Sequence, residues 1–348
     1  MQHWFRAFSE FFTAVETKIQ ANWAGMKSKL PSELAQKVEE HPRFWKAAGD
    51  EAIFQLKITD LLQVPFALYC FIEAVNGHRQ EIKAHRRSLD LKATAWIAGF
   101  PVNNAEIALG VASERLREEG MEVEEQDYFS LHLFRLYLHN RDERPGEHLD
   151  FIDPQMDLGF RLAAKSTARH MVLSADLCLL LVEAMERHGD ELPGTFGQKF
   201  NNGFAFLGTE VLKGVLGSIP YPLFALSTQP DKKVFRAEED MLRATPPTPP
   251  KVKEYVKAFT AEVRDETDAR WVVEPFIASS FGVAPADHED GLQRQRKRFR
   301  ATLAARKDVE QSGMDASRDR VEEIKEVVLD KLRRIGPQDA DGNGEADA

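Results

Sequence analysis

Phe5, Phe8, Phe12, Val15 and Ile19 recur every three or four residues across HWFRAFSEFFTAVETKIQANWA (3–24). That period predicts an amphipathic helix with no strand before it. RFWKAAGDEAIFQLKI (43–58) reads as two short strands joined around Gly49-Asp50, a turn pair between apolar runs. LLQVPFALYCFIEAVNG (61–77) predicts a helix that stops at Gly77. Leu89, Leu91, Ala93 and Ala95 alternate in LDLKATAWIAGFPV (89–102), the next strand. The acidic stretch SERLREEGMEVEEQD (113–127) reads as an excursion from the sheet, and FSLHLFRLYLHN (129–140) suits strand or helix equally. Residues 149–181 predict a loop, a helix from about Met156, the strand HMVLS (170–174) and a further helix. VLKGVLGSIPYPLFAL (211–226) predicts a paired ribbon with Gly and Pro at its corners.

Helices and strands alternate here without a strict parallel rhythm, and a hairpin interrupts them. The predicted class is α+β, a ferredoxin-like sandwich of one mostly antiparallel sheet with helices packed on it. The domain is expected to span 1–227, followed by a Pro-rich linker over 228–250 whose TPPTPP run (245–250) favours a stiff extended chain. Residues 251–335 have helical period, with heptad-like apolar positions in RVEEIKEVVLDKLRRI, and form a separable C-terminal extension. The acidic tail 336–348 has the composition of a disordered segment.

Composition narrows the setting. The 348 residues are 43% hydrophobic, enough for a real core. Cys70 and Cys178 both sit in apolar runs, where a free thiol behaves as a small hydrophobe, and a reducing cytoplasm is the expected location. No apolar run approaches the ~20 residues of a membrane span. A net charge of −10 opposes binding to nucleic acid, and the basic block QRQRKRFR (293–300) reads as a solvated helix face. The histidines show no zinc-ligand spacing.

The polar residues inside the apolar hairpin carry the candidate chemistry. Lys46-Ala-Ala-Gly49-Asp50-Glu-Ala-Ile-Phe54 is followed by LDLKATAWIAGF, by Asp150-Phe-Ile-Asp-Pro-Gln-Met-Asp157-Leu-Gly-Phe-Arg161, by Ala164 to Ser174, and by Leu212-Lys213-Gly214-Val215 through Phe224. In this order, over residues 1–227, the segments resemble the catalytic domain of class III nucleotidyl cyclases, the adenylate and guanylate cyclases. The resemblance implies that Asp50 ligates Mg²⁺ or Mn²⁺. It also implies that Lys46 and Asp150 read the base, the ammonium donating to ring N1 of adenine and the carboxylate accepting from the exocyclic amine. Arg161 would stabilise charge on the transferring phosphate. Asp157 stands where the family has Asn, which removes an amide donor to the ribose and adds negative charge near the phosphates. The family's second metal aspartate lies on a strand ahead of the amphipathic helix, and this sequence begins at that helix.

Two functions follow from the resemblance. One is a cytoplasmic homodimeric enzyme converting ATP to cyclic AMP and diphosphate by two-metal attack of the 3′-hydroxyl on the α-phosphate, expected where the upstream strand exists. The other is a catalytically inactive cyclase-homology module that binds nucleotide or dimerises in signalling. Plainer readings stand beside each residue: Gly49-Asp50 as an ordinary turn, Lys46 as a snorkelling edge lysine, Asp150 as a loop acid, and Arg161 paired with Asp157 in an i,i+4 surface bridge.

Overall fold

The computed structural model of the protein describes residues 2–85, 88–99, 104–109, 148–152, 154–201, 203–216, 219–229, 233–242 and 246–266. All fall within one of the chain's two units, 1–109 with 148–289. In chain order the elements are α1 (Gln2–Lys27), α2 (Ser32–Lys37), β1 (Arg43–Ala48), β2 (Glu51–Gln55), α3 (Gln63–His85), β3 (Thr94–Ala95), β4 (Ala105–Leu109) and β5 (His148–Ile152). They continue with α4 (Pro154–Ala163), β6 (His170–Leu173), α5 (Ala175–His188), α6 (Gly194–Asn201), β7 (Phe204–Val211), β8 (Pro220–Ser227), α7 (Lys233–Leu242) and α8 (Pro249–Glu266). The architecture is α+β. The excursion read over 113–127, the ambiguous 129–140 and everything after 266 lie outside the described residues.

The predicted first helix forms and buries Val15, Ile19 and Trp23. Lys18 meets Glu81, Asn22 donates to the Cys70 carbonyl and Trp23 packs edge-on to Phe66 at 4.7 Å, so α1 and α3 run antiparallel. The α3 helix does not stop at Gly77 but runs eight residues further to His85. A glycine inside a helix costs only about 1 kcal/mol, and packing against α1 supports the extra turns. Arg79, in those turns, is almost fully buried. Its guanidinium donates to Asp90 Oδ1 (2.7 Å), Asn76 Oδ1 (2.5 Å) and the carbonyls of Thr228, Leu91 and Ala168.

Among the described residues the strands fall into three sheets rather than the expected single one. A four-stranded sheet has the order β3-β6-β8-β7, with β3 parallel to β6 and the other pairs antiparallel. The hairpin β1-β2 and the ribbon β4-β5 are separate two-stranded sheets. The strand predicted over 89–102 is cut to Thr94–Ala95. Its ladder ends where the next side chain, Trp96, packs under Gly159 so closely that a Cβ there would lie 2.2 Å from the indole.

Helix α5 is buried at every position from Ala175 to Ala184. Its N-terminal donors are satisfied by the Ser174 side chain, which accepts from Leu177 N, and by the Tyr221 hydroxyl, which accepts from Ala175 N at 2.8 Å. The α8 helix does not stand apart beyond the proline run. Val252, Val256, Phe259 and Val263 join the main core, and Lys253 pairs with Glu183 (2.9 Å) and Glu186 (2.5 Å) of α5. The domain therefore extends past Ser227 to include at least residues 249–266, because an apolar helical face is buried against α5.

Candidate functional site

In the hairpin, Phe44 pairs with Phe54 while Lys46 pairs with Ile53, leaving Trp45 as the extra residue of a bulge. A bulge re-aims side chains, and here two sequence neighbours share one face: the Lys46 ammonium lies 4.1 Å from the centroid of the Trp45 ring. Gly49 turns the hairpin with φ +63, a conformation that suits glycine. Asp50 follows it at the exposed tip.

Across 104 residues of sequence, Lys46 Nζ donates to both oxygens of Asp150, at 2.6 and 2.8 Å. The Asp150 carboxylate also accepts from Phe151 N at 2.8 Å. Both side chains keep partial solvent access, 32% for Lys46 and 25% for Asp150, so the pair is open to a ligand on one side. Aromatic rings enclose the rest. Trp45 meets Phe151 at 4.7 Å, and Phe160 lies 5.9 Å from Lys46 Nζ and 5.9 Å from Trp96.

Helix α4 starts at Pro154, a residue suited to a first turn, and carries Asp157 in that turn and Arg161 in its last, both favourable to the helix dipole. The two side chains pair at 3.1 Å and are 46% and 45% exposed. An exposed i,i+4 pair contributes only about 0.3–0.5 kcal/mol. The Leu212–Val215 turn comes up beside α4: Gly214 (φ +77) sits where a Cβ would be 3.7 Å from Asp157 Oδ2. Buried Asn104 donates to Gln155 Oε1 at 2.5 Å, tying the approach to β4 to the start of α4.

Lys46 with Asp150, and Asp157 with Arg161, are thus brought together. Asp50 is not joined to them by any hydrogen bond or ion pair among the described residues; its neighbour Glu51 reaches Lys92 at 4.0 Å. No group of three or more His, Cys, Asp or Glu side chains is arranged for a metal among the described residues. Asp50 offers a single carboxylate at an exposed turn, whereas Mg²⁺ is commonly held by one or two carboxylates with further oxygens from elsewhere.

The aromatic enclosure was not read from the sequence. Trp45 stands directly before Lys46 and Phe160 directly before Arg161. That adjacency is the available signal; the enclosure itself arises from the bulge at Trp45 and from the approach of Asp150 and Phe151 to Lys46 and Trp45. Comparison with protein-family models, with curated proteins and with solved structures finds no match.

Proposed function

We propose that the chain is a nucleotidyl cyclase-like protein whose Lys46–Asp150 pair holds the base of ATP. The observation that carries this reading is the 2.6 Å contact between two residues that the cyclase resemblance names independently as the base-reading pair. A donor and an acceptor side by side complement adenine's N1 and exocyclic amine, and leave unmatched groups against guanine. In the enzyme reading, the 3′-hydroxyl of ATP attacks its own α-phosphate, diphosphate leaves and cyclic AMP forms. Arg161 would hold the α-phosphate by charge-assisted hydrogen bonds, with a homodimer completing the site. A divalent cation bound with the nucleotide would neutralise phosphate charge and favour ionisation of the attacking hydroxyl; Asp50 is the residue of this chain that would ligate it.

A second reading, a nucleotide-binding module without turnover, is favoured by the Asp157–Arg161 pair, since Asp157 occupies the guanidinium and adds negative charge where phosphates would lie. Cyclic AMP formation by the full chain with Mn²⁺ and ATP separates the two. The enzyme reading expects product, raised by Asp157→Asn about twofold as Arg161 is released. ATP binding with no product from either protein supports the module. No ATP binding contradicts both.

A further inference from the structure

Phe160 is 37% exposed although α4 buries the residues on either side of its face, Leu158, Gly159 and Leu162. An isolated exposed phenylalanine is unremarkable on a protein surface, but this one is placed. Its backbone is fixed by Gly159 seated on Trp96, its ring rests against that indole, and its other neighbour is the Lys46 ammonium, 5.9 Å from the ring centroid. The ammonium therefore approaches both the Trp45 and the Phe160 rings, at 4.1 and 5.9 Å, while its hydrogen bonds run to Asp150.

We infer that Phe160 is the stacking face for the purine whose edge Lys46 and Asp150 read, and so sets affinity for the base without choosing between bases. The inference rests on the proposed nucleotide site. Stacking on an aromatic ring is tolerant of base identity because every base has a π-face, whereas the Lys46–Asp150 pair discriminates through hydrogen bonds. The two residues thus have separable signatures. Phe160 stands outside the buried core clusters, which limits the effect of its substitution on folding.

Calorimetric binding of ATP, GTP and inorganic tripolyphosphate to the full chain with Mn²⁺ tests this, comparing the wild type with Phe160→Leu, Phe160→Trp and Lys46→Ala. Phe160→Leu should weaken ATP and GTP by about tenfold each and leave tripolyphosphate unchanged. Phe160→Trp should restore both nucleotides, and Lys46→Ala should change the ATP:GTP ratio. Unaltered nucleotide affinity in Phe160→Leu, with the Lys46 effect intact, overturns the stacking role alone. An equal loss of tripolyphosphate overturns it as well, by making Phe160 a support for the phosphate side. Failure of the wild type to bind either nucleotide overturns the stacking role together with the site it rests on.

Discussion

Asp176 is fully buried at the start of α5, and its Oδ2 has no hydrogen-bond partner. Burial pushes its carboxyl up to about 6, against hydrogen bonds from Ser174 and the Leu177 backbone that hold it down. The native state therefore binds a proton more tightly than the unfolded chain, whose carboxyl titrates near 3.8. Stability falls as pH rises through that window, and the cost is fully present above about 6. Asp176→Asn should remove this dependence: relative to wild type it gains on the order of 2–3 kcal/mol between pH 4 and pH 8. Denaturant unfolding at both pH values measures it, and a pH-independent difference between the two proteins would contradict the assignment. Lys46 and Asp150 were singled out in the sequence only through a resemblance; the ion pair between them comes from the fold. Arg79 was not singled out: it lies beyond the predicted helix stop at Gly77, and its burial arises where 88–91, the loop at Ala168 and the end of β8 converge on the guanidinium.

Among the elements, periodicity served best in α1, the hairpin and α4, whose existence and type it gave. It overreached at β3, where alternation begins at Leu89 but only Thr94 and Ala95 pair with β6, and it gave no element for α6 or most of β7. Prolines at 246–250 suggested a boundary, yet α8 uses Pro249 as its first residue and then buries four apolar side chains. Its charge contact with α5 is pH-sensitive. Burial raises the Glu183 carboxyl, but hydrogen bonds from Lys253 and Lys257 bring it below its ordinary value. That contribution is present above the unfolded value near 4.5 and lost as pH falls through the lower folded value. Cleavage between 243 and 248 should leave α8 bound at pH 7, and acidification through the lowered Glu183 titration should loosen it. Gel filtration of the cleaved protein reads both. Separation of the fragments at neutral pH would show that α8 does not share the core.

At the scale of the whole molecule, the α+β class was legible from the mixture of helical and alternating periods, while the division into three sheets was not. Sheet membership depends on which strand edges meet, and a bulge at Trp45 or a tryptophan beneath Gly159 alters that without changing the hydrophobic pattern. The functional account depends on two segments far apart in sequence forming one base-reading pair. Nucleotide selectivity of the full chain with Mn²⁺, wild type against Lys46→Glu, tests it most directly. The account predicts that wild type binds ATP more tightly than GTP by about tenfold or more, and that Lys46→Glu, which sets a second carboxylate beside Asp150, removes the preference. Equal affinity of the wild type for both nucleotides, or a preference for ATP that survives Lys46→Glu, would contradict it.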